Sequence, residues 1–202
     1  MSASSLRPVI PASQLRKART MRNLAVVLTL IAATATLAPA TPPPSSVWRQ
    51  QVEQEMPLLG HRNWILIVDS AYPLQASQGV ETIDTGGDHQ EVVREVLSLV
   101  ARSPHVRPQI TLDSELPFVT DDDAPGVGKY RSDIADLLRD LPTTYQPHQQ
   151  ILDLIDQQSR QYHILVLKTR MTIPYTSVFI RLDCRYWSND AEQRLRSRMT
   201  PR

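Results

Sequence analysis

Trp64-Ile-Leu-Ile-Val68, closed by Asp69 and followed by Ser70-Ala-Tyr-Pro73, decides the fold class of this chain. Five consecutive apolar residues with β-branched members, bounded by polar ones, predict a strand buried on both faces. His163-Ile-Leu-Val-Leu-Lys168 has the same character and predicts a second such strand. A strand buried on both faces needs apolar helices above and below it. Trp48, Val52, Met56 and Leu59 recur at spacings of three and four, which predicts a short amphipathic helix ending at Gly60. Val92, Val93, Val96, Leu97 and Val100 stripe a helix from His89 to Arg102, after the Gly86-Gly87 turn and before Pro104 and Pro108. Ile134, Leu137, Leu138 and Leu141 predict a helix from Tyr130 to Leu141, stopped by Pro142; Ile151, Leu152 and Ile155 predict another from Gln149 to Gln161. Gln109-Ile-Thr-Leu-Asp113 and Thr176-Ser-Val-Phe-Ile-Arg-Leu-Asp183 read as further strands. Interleaved helices and short strands predict an α/β fold: a single layered domain, with a short, mostly buried central sheet flanked by helices. It spans residues 47–187, and the polar tail 188–202 is expected to fray.

The first forty residues read differently. Arg16, Lys17, Arg19 and Arg22 precede the apolar run Leu24–Leu37, and Ala38-Pro39-Ala40 follows it. A basic stretch, a short apolar run and a small-residue exit describe a secretory signal peptide, with Met21 an alternative start. The apolar run is shorter than the roughly 20 residues that span a bilayer. The expectation is therefore an exported protein, periplasmic or extracellular, with no membrane association after signal removal. Thr41-Pro-Pro-Pro-Ser-Ser46 reads as a stiff linker.

A formal charge of +1 provides no field to draw the protein to nucleic acid. The single cysteine, Cys184, cannot close an internal disulfide, so stability must come from apolar burial. Gly126-Val-Gly128 lacks the strand–turn–helix setting of a phosphate loop, and neither a nucleophile elbow nor His-Glu-x-x-His occurs. The remaining chemistry lies in polar residues at the ends of apolar elements: His61, Asp69, His148 and Tyr175. Ligand sites in open α/β sheets gather at strand ends, which makes these residues candidates for one site. Each also has an ordinary role, as helix-end histidine, capping aspartate or packed turn tyrosine. The acidic triplet Asp121–Asp123 reads as a solvated loop, since it lacks further calcium-ligand spacing.

Leu59-Gly60-His61 through Trp64–Asp69 to Pro73 resembles the N-terminal signature of the ribose pyranase / fucose mutarotase family: Gly-His, an apolar strand, Asp, a small residue and Pro. Lys168-Thr169 through Ile173-Pro174-Tyr175-Thr-Ser177-Val-Phe-Ile180 resembles its second signature. Arg170-Met171 stand where the family has Gly-Glu, and Ser177 stands where it has Asn. Val106–Leu116 resembles the family's central strand, and His148 opens the helix where some members carry a second histidine.

The resemblance implies a cofactor-independent isomerase that interconverts ring forms or anomers of a monosaccharide such as ribose or fucose. It implies a homo-oligomer with sites near subunit contacts, and neither a metal nor an organic cofactor. In that reading His61 is the acid/base, and Asp69 orients it or holds a sugar hydroxyl; His148 is a second proton carrier or a hydroxyl contact, and Tyr175 and Ser177 hold the sugar. A histidine suits proton relay because its ordinary pKa lies near 6.5. The rival readings are a non-catalytic monosaccharide-binding module, a metal site built from His61, Asp69 and His148, and a purely structural exported domain. An extended path from His61 to Asp69 keeps the two apart, so their pairing requires the chain to turn back or a neighbouring subunit to complete the site.

Overall fold

The computed structural model describes residues 44–199, and the signal-peptide reading of residues 1–40 lies outside them. In chain order the elements are α1 (Pro44–Glu55), β1 (Trp64–Val68), β2 (Val80–Asp84), α2 (His89–Arg102), β3 (Val106–Asp113), α3 (Val127–Leu138), β4 (Thr143–Gln146), α4 (His148–Gln158), β5 (Ile164–Lys168), β6 (Val178–Cys184) and α5 (Asn189–Met199). The six strands form one mixed sheet in the order β2-β5-β1-β6-β3-β4. β2, β5 and β1 run parallel, as do β3 and β4. β6 runs antiparallel to both its neighbours, β1 and β3.

The two apolar runs are the adjacent strands β1 and β5, and the side-chain alternation of a strand sorts their residues onto two faces. Ile65, Ile67, Leu165 and Leu167 join Val92, Val93 and Val96 of α2, Ile134 of α3 and Trp48 and Val52 of α1 in one core. Trp64, Leu66, Val68, Ile164 and Val166 face the other way and pack on Ile151 and Ile155 of α4. The protein is thus an α/β domain with a buried central sheet between helical layers. Each fully buried Leu, Ile or Val side chain contributes about 1.5–3 kcal/mol of transfer free energy.

The sequence reading departs from the structure at the edges. Two strands were not expected, β2 and β4, and these are the two outermost strands of the sheet. Their residues are only partly buried, so neither shows an unbroken apolar run. Helix α1 begins at Pro44 instead of Trp48, which makes residues 44–46 the first helical turn and not linker. Proline is suited to that position because the first helical N–H has no intrahelical partner. Helix α3 starts at Val127, three residues before the expected Tyr130. Gly126 sets that start with a left-handed φ of 93°, and Asp121 accepts from the N–H groups of Gly126 and Gly128 at 2.9 and 3.2 Å. The Asp121–Asp123 loop therefore has a capping role. The expected frayed tail contains helix α5, none of whose residues is buried.

Leu165→Ala, at a fully buried position in β5, is expected to cost about 2–5 kcal/mol. Urea unfolding followed by circular dichroism measures it; a loss much below that range contradicts the central place given to β5.

Candidate functional site

The connection from β5 to β6, residues 169–177, passes over the C-terminal end of β1, because β1 lies between those two strands. Backbone hydrogen bonds tie this crossing down: Thr169 N–H donates to Val68 O at 3.0 Å and Ser70 N–H to Met171 O at 2.8 Å. Two loops therefore face each other at this end of the sheet, Asp69–Pro73 from β1 and Thr172–Tyr175 from the crossing. Together with His148 and Leu152 of α4 they line a cavity of about 500 Å³, inside the usual range of about 300–1,000 Å³ for small-molecule pockets.

His148 is the first residue of α4. Its backbone N–H donates to both carboxylate oxygens of Glu115, at 2.9 and 3.1 Å, which supplies an acceptor to a helix start that follows Pro147. Its ring Nδ1 lies 3.0 Å from Oδ1 of Asp113, the last residue of β3. A carboxylate only accepts, so Nδ1 carries the proton and Nε2 is left as the basic nitrogen of the neutral ring. Asp113 is 0% exposed, and its second oxygen has no hydrogen-bond partner among the described residues. Burial pushes its carboxyl above the usual carboxylate range, and the His148 contact opposes that shift.

The Tyr175 ring meets the His148 ring edge-on, with centroids 5.4 Å apart and planes at 86°. Tyr175 has a left-handed φ of 58°, an uncommon conformation for a residue with a side chain. Thr176 holds the turn, donating from its hydroxyl to Ile173 O at 2.8 Å and accepting at its carbonyl from the Tyr130 hydroxyl at 2.7 Å. Asp69 completes the cavity wall, with Oδ1 accepting from Ala71 N–H at 2.7 Å. Tyr72, itself largely buried, is also part of the lining. Burial and the nearby Asp156, Asp113 and Asp69 carboxylates push its phenol up to about 12, so it remains neutral at ordinary pH.

Of the residues expected at one site, the structure brings Asp69, His148 and Tyr175 together. It places His61 elsewhere. His61 precedes β1 and Asp69 follows it, and a five-residue strand rising about 3.3 Å per residue separates its ends by about 16 Å. Within one chain the His61–Asp69 dyad is therefore not formed, and neither is a metal set of His61, Asp69 and His148. The His61 side chain is 49% exposed, and its Nε2 lies 3.6 Å from Asp183 Oδ1. Ser177 is 2% exposed and does not line the cavity; the backbone entering β6 turns it inward.

Two buried polar positions around the cavity escaped the sequence reading. Asp113 ends a predicted strand, the same signal that singled out Asp69. His89 opens α2 and is 1% exposed, with Nε2 3.4 Å from Ile67 O and Nδ1 3.4 Å from the Tyr130 hydroxyl. A carbonyl only accepts, so Nε2 carries the proton of the neutral ring. His89 and Tyr130 thus link the end of β1 to the Tyr175–Thr176 turn from behind. No pattern in the sequence distinguishes this buried histidine from an ordinary first helical residue.

No protein-family model matches the chain, and no curated protein does either. Among solved structures it is similar to Bacillus subtilis RbsD complexed with D-ribose, at TM-score 0.47 and 13% identity, over 65% of this chain and 89% of that one. It is similar to the fucose mutarotase from Streptococcus pneumoniae in complex with L-fucose, at TM-score 0.45 and 22% identity, over 71% of this chain and 96% of that one. FucU from Bifidobacterium longum is matched at TM-score 0.45 and 15% identity, over 65% and 90% of the two chains.

Burial lowers the folded-state pKa of His89 from 6.5 to about 4. The unfolded chain then binds the extra proton between those values, so this group's stabilisation is complete above pH 6.5 and is lost as pH falls toward 4. His89→Gln is expected to flatten the fall in urea midpoint between pH 7 and pH 4.5 relative to the parent. Parallel pH profiles for the two proteins contradict the buried neutral state of His89.

Proposed function

We propose that this protein is a monosaccharide mutarotase or pyranase of the ribose pyranase / fucose mutarotase family, and that it works without a cofactor at the cavity beside β1. The observation that carries this reading is the Asp113–His148 pair, set edge-on to Tyr175 and facing Asp69 across one cavity. Opening a sugar ring moves two protons: the anomeric hydroxyl loses one, the ring oxygen gains one, and the bond from the anomeric carbon to the ring oxygen breaks to leave a carbonyl. Closure reverses each step, so atoms balance and no electron carrier is needed. His148 Nε2 accepts the first proton, Asp113 holds Nδ1–H and stabilises the imidazolium that forms, and this imidazolium gives the proton to the ring oxygen as the ring bond breaks. Tyr175 offers a ring face to the C–H side of the sugar and a phenol to a hydroxyl. Asp69 accepts from a sugar hydroxyl.

His61 joins this chemistry only from a neighbouring copy, which makes the reading one of a homo-oligomer with its sites at subunit contacts. Its exposed ring, on the opposite end of the sheet, is available for such a contact. Export of the mature domain, proposed on residues 1–40 alone, places the sugar outside the cytoplasm.

Anomer and ring-form exchange of ribose and fucose by saturation-transfer NMR tests the proposal. The protein is expected to accelerate exchange of at least one sugar, and His148→Gln to remove about 10²–10⁴ of the acceleration. His61→Ala is expected to reduce the rate while leaving the chain folded. Sugar binding without faster exchange identifies the chain as a binding module instead, and neither binding nor exchange sets aside a sugar function.

A further inference from the structure

At the end of the sheet away from the cavity, three metal-ligating side chains from three separate elements converge. Glu55 is the last residue of α1, Glu81 lies in the first half of the edge strand β2, and His163 immediately precedes β5. One ligand atom from each lies within 4.8 Å of the other two. His163 Nε2 is 3.7 Å from Glu55 Oε2 and 3.9 Å from Glu81 Oε2. Both separations exceed hydrogen-bond range. They approach what a shared ion requires: two ligands at about 2.1 Å with tetrahedral angles sit roughly 3.4 Å apart. A contraction of a few tenths of an ångström brings both His163 pairs to that spacing, and the two carboxylates lie within 4.8 Å of each other.

The charges in the cluster point the same way: among the described residues the ion-pair partner of both Glu55 and Glu81 is His163. Two carboxylates held together on packed elements with only an imidazole as counterweight form a site of net negative charge that a cation relieves. The donor set selects among cations: one imidazole and two carboxylates suit zinc-class ions, whereas magnesium and calcium favour all-oxygen shells.

We infer that Glu55, Glu81 and His163 bind one divalent transition-metal ion of the zinc class, which ties α1 to strands β2 and β5. Among the described residues this edge strand pairs with β5 alone, and it is partly exposed, so a cross-link there adds the most where the sheet is least covered. The site is separate from the sugar cavity and does not depend on the sugar reading.

Chelator-treated protein titrated with Zn²⁺ by calorimetry and with Co²⁺ by visible absorption tests this. The expected result is one ion per chain, cobalt bands of low coordination number, and a thermal midpoint that rises with added Zn²⁺. His163→Ala and Glu81→Gln are each expected to weaken binding by about tenfold or more. Both side chains are partly exposed, so the variants keep the core. His148→Gln, in the cavity, is expected to bind as the parent does. Absence of binding by the parent, or His163→Ala titrating like the parent, overturns the inference. Loss of binding in His148→Gln alone overturns it too, by placing the ion in the cavity.

Discussion

The path of the chain between β5 and β6 is the constraint from which the rest of the site follows. Parallel neighbours need a crossover of a dozen or more residues, usually helical. The segment 169–177 is too short for that, so β6 must reverse direction. It also cannot pair with β5, whose two sides are taken by β2 and β1. The chain therefore steps across the end of β1 and descends on its far side, antiparallel to it. That step places a proline-turned loop directly opposite the loop that leaves β1. Neither loop alone makes a cavity; the crossing makes one from both.

Three strands deliver carboxylate or hydrogen-bonding groups to this same edge, because β1, β3 and β4 all point their C-terminal ends toward it. Asp69 follows β1, Asp113 ends β3, and β4 leads through Pro147 into His148. The helix that His148 opens packs its apolar side on β1, β5 and β6, so the position of the ring is set by the core beneath it. A buried carboxylate is costly unless paired, and Asp113 is paired on one oxygen only. The core accepts that cost next to the cavity that His148 lines. The strain at Tyr175 lies in the same place. His89 and Tyr130, buried behind the cavity, contact Ile67 of β1 and Thr176 from the core side.

The interior was legible and the margins were not. Trp64–Val68 and Ile164–Lys168 announce themselves because burial on both faces demands an unbroken apolar run, and they prove to be adjacent strands. The valine stripe of α2 matches its observed span. β2 and β4 escaped because edge strands are stabilised by backbone pairing to one neighbour and by little side-chain burial, so their sequences carry no apolar signature. At the site, Asp69, His148 and Tyr175 were legible from their places at element ends. Asp113 had the same signal but became meaningful only when β3 and β4 proved to be neighbours. Ser177 was assigned by motif position, and local backbone direction decided otherwise.

His61 shows how a pairing rule can hold while the partner changes. The sequence reading assigned it an aspartate at the other end of β1; the fold supplies Asp183 near the end of β6, because antiparallel pairing brings that end beside the start of β1. Burial alone would raise the Asp183 carboxyl, but the Arg107 guanidinium, donating at 2.9 and 2.6 Å, holds it below the usual carboxylate range. Asp183 is thus ionised, and its other oxygen, Oδ1, faces His61. Each candidate histidine consequently has its own orienting carboxylate, His148 with Asp113 and His61 with Asp183, at opposite ends of one sheet. A single strand length keeps the two pairs apart within a chain. Two copies related so that the start of β1 in one meets the end of β1 in the other would face the pairs across a shared cavity, which is the arrangement a reaction needing a proton taken from one oxygen and given to another requires.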